Sequence, residues 1–181
     1  MRVIAGEAKG RRLKSPPGTG TRPILDRVKV ALFDVLSPWV EDARVLDLFA
    51  GAGSVGIEAL SRGARNAVFV ELNPGAVATI KANLETTRLA DRAKVVRRDV
   101  FRFLEEATGD FDLIYVAPPQ YVGLVVKTLE ALDRRPLLAP GGRIIAQQHP
   151  KERVSITLTQ LKLADERRYG DTELLFFERL S

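Results

Sequence analysis

The sequence predicts an α/β fold built on a doubly wound, mostly parallel sheet with an antiparallel hairpin at its C-terminal edge. Three observations carry this. Short apolar runs rich in Val, Ile and Phe recur at residues 44–49, 67–71, 94–97, 111–116 and 143–147. Near-continuous runs of this kind mark strands buried on both faces. Segments of helical period separate them, as crossover connections between parallel strands require, and a glycine-rich turn follows the first run directly.

The elements follow in order. Residues 2–5 and 11–14 can pair as a short basic hairpin around residues 6–10, followed by the stiff loop Ser15-Pro16-Pro17-Gly18. Residues 26–36 carry apolar side chains at 28, 32, 35 and 36, the pattern of an amphipathic helix. Ser54 opens a helix that stops at Gly63, and Asn73 with Pro74 at the first helical position opens another, running to about Thr86. A further helix is expected over 121–132, before Pro140-Gly141-Gly142. Residues 161–169 and 172–180 flank Gly170-Asp171 as an antiparallel hairpin. Five parallel strands ending in such a hairpin is the Rossmann-like layout of class I methyltransferases. Two parts are expected: a basic N-terminal extension, 1–40, and the main domain, 41–181.

The chain has 181 residues, 45% of them hydrophobic, with 28 basic against 23 acidic side chains and a net charge of +5. That charge is unevenly placed. Residues 1–30 hold eight basic and two acidic side chains, and the other 151 hold 20 and 21. With no Cys and a single His, disulfides, thiolate zinc sites, Cys nucleophiles and His-based triads drop out, and no metal is expected. No apolar run approaches the roughly 20 residues of a membrane span, so a cytoplasmic monomer without membrane contact is expected.

The strongest local signal is Asp47-Leu48-Phe49-Ala50-Gly51-Ala52-Gly53-Ser54-Val55-Gly56. Gly51-x-Gly53-x-x-Gly56 matches the dinucleotide fingerprint, and Glu71 follows 20 residues after Gly51, where a ribose-binding acid is expected. Asp47 decides between cofactors. A pyrophosphate at this turn would meet like charge, whereas a sulfonium with a protonated amine would be attracted. The turn therefore favours S-adenosylmethionine over a nicotinamide dinucleotide. Phe49, Ala50 and the glycines approach it by backbone, Glu71 with Leu72 beside it accepts from the ribose, and Asp99 with Val100 meets the adenine.

The fourth run ends in Ala117-Pro118-Pro119-Gln120-Tyr121. It resembles the signature of amino-methyltransferases acting on exocyclic base nitrogens: Asp, Asn or Ser, then Pro-Pro, then an aromatic. Arg2-Val3-Ile4-Ala5-Gly6, Thr21-Arg22-Pro23 with Asp26-Arg27-Val28, and Gly56-x-Glu58-Ala59-Leu60-Ser61-Arg62 further resemble the RsmD family. That resemblance implies methylation of a guanine N2 amine in 16S ribosomal RNA, with ribosomal RNA or the assembling small subunit as partner. It also implies that the first signature side chain and the carbonyl of Pro118 hold the amine while the aromatic stacks on the extruded base. Here the sequence departs from the pattern: Ala117 accepts no hydrogen bond and Gln120 replaces the aromatic. We expect the Gln120 amide to supply the acceptor and Tyr121 the ring. A catalytically weak or silent RNA-binding or assembly factor is the alternative that Ala117 motivates.

Arg2, Lys9, Arg11, Arg12 and Lys14 predict an RNA-docking surface, since phosphate attraction supplies most non-specific nucleic-acid affinity. Arg22 and Arg27 are expected to face either an RNA phosphate or the cofactor carboxylate.

Overall fold

The computed structural model describes residues 1–18, 23–120 and 122–180. Its centre is a seven-stranded sheet. The strands are β1 (Arg44–Leu48), β2 (Asn66–Glu71), β3 (Ala93–Arg97), β4 (Phe111–Val116), β5 (Leu138–Gln148), β6 (Leu161–Tyr169) and β7 (Thr172–Arg179). Their spatial order is β3-β2-β1-β4-β5-β7-β6, with β1 to β5 parallel and β7 antiparallel to both its neighbours. The winding reverses between β1 and β4, where sheets of this kind open a ligand crevice beyond the carboxyl ends of their strands.

Helices α1 (Asp26–Val40), α2 (Ser54–Ser61) and α3 (Pro74–Thr87) share one core with the sheet; α4 (Val100–Glu106) and α5 (Leu124–Arg134) share the other. Asn73 caps α3, its Oδ1 accepting from the N–H groups of Gly75 and Ala76, with Pro74 at the first position. Several boundaries differ from expectation. Helix α1 continues four residues beyond Leu36, where Trp39 Nε1 donates to Gly141 O at 3.0 Å and ties the helix end to β5. Strand β5 starts at Leu138 rather than 143, because Pro140-Gly141-Gly142 forms a bulge against β4 instead of a loop. Gly142 is required there: a Cβ would lie 2.6 Å from Asp112 O. Helix α5 begins at Leu124, after Gly123 at φ +70°, and the expected start at Tyr121 lies outside the described residues.

The N-terminal segment pairs as a short antiparallel hairpin around the Arg2 to Arg12 bridge: Val3 N–H donates to Arg11 O, Leu13 N–H to Met1 O and Gly10 N–H to Val3 O. The domain holds the polar groups that this pairing leaves over. Glu58 on α2 accepts from the N–H groups of Ile4 and Ala5. Ser61 Oγ accepts from Ala8 N–H and donates to Ala5 O, and Asn83 on α3 pairs with both the N–H and the carbonyl of Lys14. Val3, Ala8 and Leu13 are buried in the same cluster as α1 and α2. Gly6 passes so close to α2 that a Cβ would sit 1.9 Å from Ser61 O. Beneath this seam, fully buried Lys29 meets Glu58 at 3.3 Å and donates to Arg2 O and Ser54 Oγ. Burial lowers the Lys29 pKa and Glu58 opposes the shift.

Candidate functional site

A cavity of about 990 Å³ runs across the carboxyl ends of β3, β2, β1, β4 and β5. Its wall is completed by Met1, the loop Ser15 to Gly18, Pro23 and Ile24, so the N-terminal segment forms one side of it.

The turn after β1 is built by left-handed backbone: Phe49 at φ +59°, Gly51 at +59° and Gly53 at +78°. Phe49 is the unusual member, since an aromatic side chain at positive φ is strained and such strain clusters at ligand sites. The three glycines of the fingerprint have different duties. Gly51 lines the cavity, and a Cβ there would meet no atom within 4 Å, so the space above it is open. Gly53 and Gly56 lie outside the lining. A Cβ at Gly56 would lie 2.4 Å from the Phe69 ring, so that glycine lets α2 pack on β2.

Asp47 sits at the floor, 2% exposed, its Oδ2 accepting from Gly56 N–H at 3.1 Å. Burial pushes its carboxyl up to about 8; the Gly56 bond opposes the rise and the charge of Glu71 adds to it. Glu71, ending β2, braces the turn: Oε1 accepts from Gly51 N–H and Oε2 from Asn73 N–H, each at 2.9 Å. Asp99 caps α4 through Oδ1, which accepts from Phe101 and Arg102 N–H. Next to it Phe101 stands edge-on to Phe49, centroids 6.3 Å apart, with Lys127 Nζ 4.1 Å from the Phe101 centroid. Ala50, Leu72 and Val100 line the same end.

At the other end the wall is Tyr115, Ala117, Pro119, Leu124 and Gln147. Pro118 and Gln120 do not line it, and Tyr121 lies outside the described residues. The sequence reading missed Tyr115 and Gln147, whose side chains meet through a hydrogen bond from the Tyr115 hydroxyl to Gln147 Oε1. The available signal was a polar residue ending an otherwise apolar strand.

Of the basic residues, Lys9, Arg12 and Lys14 are exposed, Arg11 is exposed and donates to Thr86 O, and Arg2 faces Asp26 at 3.6 Å. Arg27 is exposed beside the Gly170 turn, outside the cavity lining, and Arg22 lies outside the described residues. Among the described residues no group of His, Cys, Asp and Glu is arranged to hold a metal, and no helix is long and apolar enough to cross a membrane.

A parallel sheet with its winding reversed at β1 and β4, an acid-lined glycine turn and an antiparallel terminal hairpin define the class I methyltransferase fold. The chain belongs to the family described as Conserved hypothetical protein 95, which it matches over residues 1–178. It is 38% identical over 183 residues to YlbH of Bacillus subtilis, covering 99% of each chain. It is 32% identical over 179 residues to the ribosomal RNA small subunit methyltransferase D of Escherichia coli K12, covering 99% of this chain and 90% of that one. The solved structure of yhhF from Escherichia coli superposes with a TM-score of 0.87 at 31% identity, covering 99% of this chain and 97% of the other.

Proposed function

We propose that this protein is an S-adenosylmethionine-dependent methyltransferase that acts on the exocyclic N2 amine of a guanine in 16S ribosomal RNA. One observation carries the reading: a single cavity joins an acidic, aromatic-lined end to the Pro-Pro exit of β4, in a chain whose relatives include a small subunit ribosomal RNA methyltransferase. The donor set fits the cofactor. Asp47 offers a buried carboxylate to a cation, Glu71 has acceptor capacity left for ribose hydroxyls, and Asp99 Oδ2 is available to an adenine amino group. Phe101 and Val100 flank that position, and Gly51 leaves room for close approach. When bound, the cofactor supplies an electrophilic methyl group.

The protein's own part is then positioning in a dry pocket. A base turned out of its stack enters past Pro119 and Leu124, which brings its target amine to the β4 end of the cavity. Lys9, Arg11, Arg12 and Lys14, in the segment that continues into the cavity wall at Ser15, attract the RNA backbone. We place the reaction in the cytoplasm, on ribosomal RNA or an assembling small subunit, with the protein acting as a monomer. Mass-spectrometric mapping of 16S RNA from a strain lacking the gene tests this. Loss of one N2-methylguanosine is expected, and an unchanged modification map overturns it.

A further inference from the structure

An exocyclic base amine is conjugated to its ring, so its lone pair attacks well only when an acceptor holds an N–H and turns that pair toward the methyl group. The β4 side chain at this place, Ala117, has no polar atom. Most of the other polar groups on the wall stand at the β1 to β3 end, where they brace the backbone and face the cofactor: Glu71 at Gly51 and Asn73, Asn73 at Gly75 and Ala76, Asp99 at the start of α4, Asp47 at Gly56. Ser54 takes the Lys29 ammonium, Arg97 has only donors, and Ser15 belongs to the loop in which Pro17 packs on Gly75, at the far end.

Gln147 is different. Val116 pairs with Ala146 in parallel register, so Ala117 and Gln147 stand side by side one step further along adjacent strands, both on the cavity wall. Gln147 Oε1 accepts from the Tyr115 hydroxyl, and its Nε2 donates no hydrogen bond among the described residues. An amide oxygen has two lone pairs, which leaves one for a second donor. Burial, reinforced by the charge of Asp47, raises the Tyr115 pKa well above its ordinary value, so the hydroxyl stays protonated and keeps Oε1 oriented.

We infer that Gln147 is the side chain that binds the target amine, its Oε1 accepting from the amine N–H and its Nε2 donating to the neighbouring ring nitrogen, with Tyr115 as the positioning residue behind it. An amide matches an amine flanked by a ring nitrogen in this two-point way. It takes the part expected of Gln120, which does not reach the cavity wall. In the transfer, the amine lone pair forms the N–C bond as the S–C bond breaks, its electron pair staying on sulfur. The surplus proton leaves the nitrogen for water, because an amide is too weak a base to hold it.

The inference rests on the methyltransferase reading, and the experiment separates the two. Small ribosomal subunits from a strain lacking the gene are methylated with labelled cofactor, and cofactor affinity is measured alongside by calorimetry. Gln147→Met is expected to lower kcat about 10- to 100-fold, the size of one lost polar contact, with KM for subunits and cofactor affinity within twofold of wild type. Tyr115→Phe lowers kcat by a smaller factor. Adding Ala117→Asn to Gln147→Met restores at least tenfold, which a merely structural role for Gln147 would not allow. Wild-type kcat in Gln147→Met, or a rate loss matched by lost cofactor affinity, overturns the inference and leaves the methyltransferase reading intact. No transfer by the wild-type protein to any RNA of the subunit overturns both.

Discussion

The two ends of the cavity are built on opposite principles. At the β1 to β3 end each acid also supports the backbone: Glu71 holds the glycine turn and the start of α3, Asp99 caps α4, and Asp47 takes the Gly56 N–H. At the β4 to β5 end Tyr115 and Gln147 hold each other, side chain to side chain, beside an alanine. Chemistry and fold are therefore inseparable at the first end and separable at the second. A substitution at the first moves stability and binding together, whereas one at the second moves rate alone.

The largest effect that would test this contrast is at Glu71. Glu71→Ala removes two charge-assisted bonds as well as the ribose acceptor, so cofactor affinity is expected to fall about 100-fold while the protein loses about 2–4 kcal/mol of stability. Calorimetry and thermal melts read the two together; lost affinity with unchanged stability would break the contrast.

Asp47 sharpens it through pH. Its carboxyl titrates near 8 in the folded protein against an ordinary 3.8, so the cofactor-free fold binds that proton more tightly than the unfolded chain does. Stability from this source is full below about pH 4 and is lost as pH rises toward 8, by about 1.4 kcal/mol per unit at most. A cationic cofactor instead needs the ionised form, so its affinity should rise with pH up to about 8 and level off above. Asp47→Asn should flatten both curves, stabilising the cofactor-free protein at pH 8 and weakening cofactor binding. Wild-type affinity constant from pH 6 to 8 would count against it.

The basic segment gives a middle-sized effect. If it neutralises about five phosphates of single-stranded RNA, the log-log salt slope of binding is near −3.5. Deleting residues 1–14 is the wrong test, since Val3, Ala8 and Leu13 are core residues. Changing exposed Lys9, Arg12 and Lys14 to Gln keeps the fold and should make the slope shallower by about 2. The smallest effect belongs to the second end. Ala117→Asp, with Gln147 present, should leave methyl transfer unchanged or lower it, and melting should not move; a large gain in rate would show that Gln147 is not the acceptor.

The same contrast explains what could be read from the sequence. Asp47, Gly51, Glu71 and Asp99 stand at strand ends next to turns and caps, and local backbone geometry leaves a signature in the residues around them. The pairing of Tyr115 with Gln147 has none, because 32 residues separate partners that only strand register brings together. Helix α4 escaped notice because its seven residues fall just short of two turns, and the Pro-Gly-Gly bulge in β5 imitates a loop. The N-terminal pairing of residues 2–5 with 11–14 was legible from their composition and the turn between them, whereas the clamp that Glu58, Ser61 and Asn83 put on this segment was not, because those partners lie more than 50 residues away. Glu58 and Ser61 in the stretch after Gly56, which carries part of the family resemblance, thus act chiefly as fasteners.

That fastening turns the protein into a gauge. The charged segment is locked to α2, and α2 begins at the turn that floors the cavity, so the span from any phosphate held by Lys9 or Arg12 to the β4 exit is fixed by the fold. On the proposed reading, which guanine is modified is settled by measured distance along the folded RNA: the nucleotide chosen is the one that falls at the cavity mouth when the backbone is seated on the charged N-terminal segment.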